Sequence, residues 1–226
     1  MTDAALTGAA LTDAALTGVG ATGAATTDGP TAARAAPGRH ALLVLAHPRT
    51  DSLTAQVARR AEARLVADGL TVDLLDLHAE GFDPRTGPAD EPDWADLDKE
   101  YSAEVHAHMR RIEAADVIVV VFPLWWFGLP AILKGWVDRV WNHGFAYGSG
   151  RSRLKGKRML WISLASYERE AFVERGWDAV VARTLGEGIS GYCGIKDASV
   201  HFVYDSLAVG EAALEAADTA LDAFAP

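Results

Sequence analysis

Trp125, Trp126 and Phe127 stand side by side in the run Phe122-Pro123-Leu124-Trp125-Trp126-Phe127-Gly128. Three large rings in what reads as a turn are costly to leave in water. Either they plug the top of a sheet or a dimer interface, or they wall a site for a flat aromatic ligand. A second stretch, His47-Pro48-Arg49-Thr50-Asp51-Ser52-Leu53-Thr54, carries hydroxyls and a histidine just where an apolar run gives way to helical spacing. Free N–H groups and the helix dipole make such a place an anion site, with Ser52 and Thr54 adding donors. The plain alternative is N-capping by Asp51 or Ser52. Other chemistries are excluded. The single cysteine, Cys193, rules out an intrachain disulfide, a CxxC pair and a cysteine-ligated iron–sulfur cluster. There is no GxSxG and no candidate Ser-His-Asp set. His106 and His108 lie two apart on an expected helix, about 200° around it, and do not converge on a metal. No metal site is expected.

The elements that must hold these groups follow from periodicity. Asp116 to Phe122 is a short β-branched run, expected to be a fully buried strand. Beyond the tryptophans a helix is expected, with Pro130 near its first position. Ile132, Leu133, Trp136, Val137, Val140 and Trp141 give it one apolar face, and Gly144 is its expected stop. Ala41–Ala46 is the expected first strand, followed by a helix from Leu53 to Gly69; Thr71–Leu77 is the second. Phe82 to Trp94 reads as a loop whose acids form a solvated face, with a helix from about Asp96 to Ala114 after it. Met159–Leu164 and Val200–Tyr204 are the fourth and fifth strands, separated by a helix from about Arg169 to Leu185. Glu211–Phe224 is a closing helix. Strand–helix alternation with five strands predicts an α/β fold: a flavodoxin-like, doubly wound parallel sheet of order 2-1-3-4-5. Ligands bind such sheets at the carboxyl ends of their strands.

Composition sets the frame. The 226 residues are 50% hydrophobic and 23% charged, with net charge −10 and pI near 5.1, which makes nucleic acid or anionic membrane a poor partner. No apolar run approaches the ~20 residues of a membrane span. Residues 1–39 belong to another regime: Thr2–Gly8 returns as Thr12–Gly18, and the rest is Ala, Gly and Thr. They lack the basic and apolar regions of a signal peptide and read as a low-complexity, disordered extension to a domain over 40–226. The cytoplasm is the expected compartment. Arg151-Ser152-Arg153-Leu154-Lys155-Gly156-Lys157-Arg158 looks like a phosphate loop. Five residues separate Gly150 from Gly156, however, and no Ser or Thr follows Lys157, so nucleotide hydrolysis is rejected.

The central stretch resembles the flavodoxin-like NAD(P)H:quinone oxidoreductase family, of the DT-diaphorase and potassium-efflux ancillary flavoprotein type. The family pattern P-L-x-W-F-x-x-P-A-x-L-K-x-W-x-x-R-V stands here in Pro123 to Phe127, Pro130 to Lys134, Trp136 and Arg139-Val140, followed by Phe145-Ala146-Tyr147. The likeness runs from about His40 to about Tyr204. It implies a flavin whose phosphate meets His47, Ser52, Leu53 and Thr54. The flavin ring would lie along Pro123, Leu124, Trp125, Trp126 and Phe127 and along Ala165, Ser166 and Tyr167. The family's T-T-G-G is here Ala165-Ser166-Tyr167-Glu168, so its proton-relay detail does not carry over, and Tyr167 would narrow the pocket. The resemblance implies two-electron reduction of a quinone or similar flat acceptor by ping-pong hydride transfer from NAD(P)H. Trp126, Phe127, Tyr147 and Tyr167 would border the reacting groups. It implies a homodimer in which Tyr147 reaches the other subunit's site. FMN is favoured over FAD because no adenine-pocket motif is visible. The basic stretch at Arg151–Arg158 is then either a solvated lead-in or a lure for NAD(P)H phosphates. The alternatives are a flavin-binding regulatory subunit of a potassium efflux system, or an azo/nitro reductase.

Overall fold

The computed structural model describes residues 39–148, 150–207 and 210–224. All but the last residue of the expected 1–39 extension lies outside them. Five strands, β1 (His40–Leu45), β2 (Thr71–Asp76), β3 (Val117–Pro123), β4 (Arg158–Leu164) and β5 (Asp197–Val203), form one parallel sheet of order β2-β1-β3-β4-β5. Parallel neighbours need long crossovers, and helices supply them. These are α1 (Leu53–Ala67), α2 (Ala103–Ala114), α3 (Ala131–Val140), and α4 (Arg169–Glu174) with α5 (Trp177–Ala182); α6 (Gly210–Phe224) closes the fold. Strand order reverses between β1 and β3, and the loops leaving those two strands therefore flank a crevice.

The period-2 alternation of the strands divides the core into two layers. Leu42, Val44, Ile118, Val120, Phe122 and Trp161 face α2 and α3, where Val105, Met109, Ile112, Leu133 and Trp136 meet them. Leu43, Leu45, Val119, Val121, Leu160 and Ile162 face α1 and α6, against Val57, Ala61, Leu65, Ala217 and Leu221. Every residue of β3 is buried, as its β-branched run predicts. At about 1.5–3 kcal/mol per large apolar side chain, this central strand is the strongest local contributor to the fold. No helix among the described residues is long and apolar enough to cross a membrane.

Several elements differ from expectation. The helix expected from Asp96 starts only at Ala103, because Ser102 caps it: its hydroxyl accepts the Val105 N–H at 3.3 Å. Asp93 and Asp96 instead accept N–H groups two residues on, from Ala95 and Asp98, at 2.9 Å each, which favours turns over helix. The helix expected over Arg169–Leu185 is broken at Gly176, which sits at φ +70° between α4 and α5, and a π-helical segment, Arg183–Gly191, follows. Ser190 anchors that segment by accepting the Trp161 indole N–H at 3.0 Å and donating to the Leu185 carbonyl at 2.7 Å. The fifth strand starts three residues early, at Asp197, and ends at Val203. Pro130 caps α3 one residue before its start, near the first position as expected. Gly144 does not end that helix, which stops at Val140. Its role is close approach: a Cβ there would lie 2.0 Å from the Leu97 carbonyl oxygen.

The Phe82–Trp94 loop also departs from its reading, since not all its acids are solvated. Asp90 is buried, 2.7 Å from the equally buried Arg139 of α3, whose guanidinium also meets Glu104 at 2.8 Å. Asn142 donates to the Asp90 carbonyl at 2.7 Å, and the Ser102 N–H to its carboxylate at 2.9 Å. The loop is thus strapped across α3, which admits it at Gly135, where a Cβ would fall 2.3 Å from the Pro84 carbonyl oxygen.

Candidate functional site

At the carboxyl edge of the sheet, β1 ends and the chain turns into α1 through His47–Ser52. Ser52 is the N-cap: buried and extended, it accepts the Ala55 N–H at 3.1 Å. Both readings of Ser52 therefore coexist, since its lone pair is spent on the helix while its hydroxyl proton remains available. The N–H groups of Leu53 and Thr54 lie in the first turn, where no helical carbonyl can reach them. The Arg49 N–H donates to His47 Nδ1 at 3.0 Å. Burial lowers the His47 pKa from its ordinary value, against the opposing pull of a hydrogen bond to the Arg49 carbonyl. The same Nδ1 lies 3.3 Å from the Arg49 carbonyl oxygen, so the tautomer sets which ring nitrogen carries the proton. These groups, with Arg49, Pro123, Leu124, Trp125, Leu164, Ser166, Ser206 and Leu207, line a cavity of about 320 Å³.

A second cavity of about 220 Å³ adjoins the first and shares Leu124 and Ser166 with it. Trp126, Phe127, Ala165, Tyr167 and Phe172 complete its lining. Its wall is a tight turn: the Gly128 N–H donates to the Trp125 carbonyl at 3.0 Å, and both central residues have positive φ, Trp126 at 51° and Phe127 at 58°. This is the I′ geometry that favours Asn-Gly, and bulky residues there cost about 1–2 kcal/mol each. Phe127 recovers part of this by stacking on Trp177, ring centroids 4.4 Å apart at 28°. Trp126 does not; it is 97% exposed. The opposite wall is rigid: Ala165 N donates to Val203 O at 2.8 Å, Asp205 N to Tyr167 O at 2.8 Å and Ser206 N to Ala165 O at 3.0 Å. Tyr167 faces Phe127 at 5.8 Å between ring centroids.

Comparison with known proteins places this geometry. The model of the family described as "Flavodoxin-like fold" matches residues 39–225. The chain belongs to that family. An uncharacterized NAD(P)H oxidoreductase of Escherichia coli (strain K12) is 44% identical over 165 residues, 73% of this chain and 83% of the relative. Mouse ribosyldihydronicotinamide dehydrogenase [quinone] is 32% identical over 183 residues, 70% of this chain and 78% of that one. The crystal structure of a putative quinone reductase from Klebsiella pneumoniae superposes with a TM-score of 0.72 at 27% identity, covering 81% of this chain and 84% of that one.

Within this flavodoxin-like chain, the site residues read from sequence come together with one exception. His47, Ser52, Leu53, Thr54, Pro123, Leu124 and Trp125 line the first cavity, and Trp126, Phe127, Ala165 and Tyr167 the second; Ser166 lines both. Tyr147 lines neither. It borders a third cavity of about 210 Å³ between α3 and the π-helical segment, with Trp141, Ile189, Tyr192 and Cys193. There it belongs to a surface chain of rings, 5.4 Å from Tyr192 and 6.1 Å from the exposed Trp94. Burial raises the Cys193 thiol to about 11, which makes it an inert packing group. The basic stretch is engaged in structure: Arg151 meets Asp98 at 2.9 Å, and Lys157 donates to the Ala115 carbonyl at 2.6 Å. Lys157 and Arg158 lead into β4, about 20 Å along the strand from the cavities. Arg49, Leu164, Phe172, Trp177, Ser206 and Leu207 were not singled out in the sequence. Arg49 was the recoverable one, since it lies inside the His47–Thr54 loop.

The two cavities fit a flavin. One end offers neutral and helix-terminal donors in a row, suited to a phosphate; the other is a slot between aromatic rings and a rigid peptide ledge, suited to a flat heterocycle. No carboxylate lines either cavity among the described residues.

Proposed function

We propose that this chain is a flavin-dependent NAD(P)H oxidoreductase that delivers two electrons to quinones or similar flat acceptors. The observation that carries the reading is the juxtaposition of the two cavities: one at an anion-suited helix terminus, the other an aromatic slot, with Leu124 and Ser166 lining both. The relatives' printed activities, NAD(P)H oxidoreductase and quinone dehydrogenase, support it. The His47 ring, the Ser52 hydroxyl and the Leu53 and Thr54 N–H groups would hold the phosphate of FMN; FAD is the alternative. Thr54 is almost fully buried, and its hydroxyl supports the same end. Pro123, Leu124, Trp125, Ala165 and Ser166 would lie along the flavin ring.

A flavin held there would supply the redox chemistry for two-electron transfer from a reduced nicotinamide to the acceptor. The chain's own residues orient and exclude. Phe127 and Tyr167 set the width of the slot and Trp126 stands at its open rim, so nicotinamide and acceptor would use it in turn, which is ping-pong turnover. With no carboxylate at hand, no side chain is asked to act as a general base. Tyr147 would serve a second copy's slot in a homodimer, which its place in an exposed aromatic patch supports. The protein would work in the cytoplasm, with 40–226 as its flavin-binding domain. Steady-state oxidation of NADH and NADPH with a panel of quinones, azo dyes and nitroaromatics tests the reading. Flavin-dependent turnover with quinones favoured is expected. Flavin binding without turnover of any acceptor would point instead to a regulatory subunit, and azo or nitro compounds favoured over quinones would change the acceptor class.

A further inference from the structure

We infer that Tyr167 is a side-chain gate: its ring stands where a flat acceptor must go and has to swing outward to admit one, which makes it the residue that selects acceptors by size. The inference rests on the flavoprotein reading above. A ring stacked between two others needs about 3.5 Å on each face, so its neighbours must stand about 7 Å apart. The Phe127 and Tyr167 ring centroids are 5.8 Å apart, with the rings tilted by 43°. No flat ring passes between them as they stand. The cavity they close holds about 220 Å³, below the roughly 300–1,000 Å³ of a site that encloses a drug-sized ligand. It has no room for a flavin ring and a second flat ring together. The T-T-G-G pattern has a glycine at this position, and therefore no ring to place there.

One of the two walls must yield, and their contacts decide which. Phe127 is locked. It stacks on Trp177 with centroids 4.4 Å apart, lies nearly parallel to Phe172 at 6.3 Å, and sits at φ +58° inside the closed turn. Tyr167 is pinned through its backbone, where its carbonyl accepts the Asp205 N–H at 2.8 Å. Its ring has tilted neighbours, Phe127 and, at 5.9 Å, Phe172. The residue is 37% exposed, and its hydroxyl holds no hydrogen bond among the described residues. A change of χ1 therefore carries the ring toward solvent while the peptide ledge stays in place. The space vacated is that of one six-membered ring. A single-ring acceptor fits it, whereas a fused three-ring acceptor overruns it and meets the displaced phenol.

The test compares a benzoquinone with a phenanthrenequinone as acceptor, per bound flavin, in full-length wild type, Tyr167→Ala, Tyr167→Phe and Tyr167→Trp. Binding of anthracenesulfonate, flat and redox-inert, to the same holoproteins is read by quenching of its fluorescence. A gate that must open first lowers apparent affinity, and removing it restores what was lost. Tyr167→Ala should therefore lower the phenanthrenequinone KM and the anthracenesulfonate Kd tenfold or more, and the benzoquinone KM threefold or less. Tyr167→Phe keeps the ring and should keep the wild-type ratio of the two KM values, while Tyr167→Trp should widen it. Equal shifts for both acceptors with an unchanged anthracenesulfonate Kd would overturn the gate. So would a Tyr167→Phe variant that behaves like Tyr167→Ala, since the hydroxyl and not the bulk of the ring would then be at work. A flavin-loaded wild type that treats both quinones alike defeats the gate alone. A wild type that takes up no flavin defeats the flavoprotein reading and this inference with it.

Discussion

Ser52 serves two masters, and the two can be separated. Asp is as good an N-cap as Ser, whereas a carboxylate would face a bound phosphate across the same helix end. Ser52→Asp is therefore expected to keep its thermal stability and lose flavin affinity at least tenfold, measured by melting and by flavin titration. Loss of stability with flavin affinity intact would place the phosphate elsewhere. Trp126 presents the opposite trade. It holds a left-handed conformation while 97% exposed, so burial does not repay the strain. Trp126→Asn suits the I′ turn and should stabilise the protein by about 0.5–1 kcal/mol. It should also raise the KM for quinones several-fold with flavin content unchanged. A variant that is both less stable and equally active would show that the tryptophan is a packing residue.

The elements differ in how openly the sequence announces them. β3 declares itself because seven consecutive positions are apolar and buried on both faces. The loop–helix junction at Ser52 is equally plain, since capping is a local interaction. What local pattern cannot show is contact over distance. Asp90 looks like any other acid in a polar loop until Arg139, 49 residues on, is folded against it. The π-helical segment depends on Ser190 meeting Trp161, 29 residues away, and its glycines give no helical signal of their own. The positive φ values of Trp126 and Phe127 contradict their residue types, and only the turn's closure reveals them. The Asp90–Arg139 pair gives this level its prediction. Removing one partner of a buried pair leaves the other uncompensated, so Asp90→Ala should cost about 3 kcal/mol by denaturant unfolding. Burial alone would raise the Asp90 pKa, but the hydrogen bonds from Arg139 and the Ser102 N–H outweigh it and hold the carboxyl below its ordinary value. A depressed folded-state pKa stabilises above the unfolded value, about 3.9, and is lost as pH falls through the folded one. Asp90→Asn should accordingly be less stable than wild type at neutral pH, the gap closing as pH falls below about 4.

The whole molecule is legible in order and class: alternation of apolar runs and helical faces yields the five-stranded sheet and the edge on which the cavities open. The aromatic residues on α3 and just after it divide between core and surface. Trp136 and Trp141 are buried in the chain's own core, whereas Trp94, Tyr147 and Tyr192 form the surface patch. Static light scattering is expected to give a dimer, and Tyr147→Ala to raise the quinone KM with flavin content intact; a fully active monomer would return Tyr147 to an ordinary surface role. The central claim is that the adjoining cavities hold a redox-active flavin, and the absorption spectrum of the purified full-length chain tests it most directly. The account predicts a yellow protein with one flavin per chain, bleached by NADH or NADPH without oxygen and restored by a quinone. A colourless protein that takes up no flavin on reconstitution would contradict it.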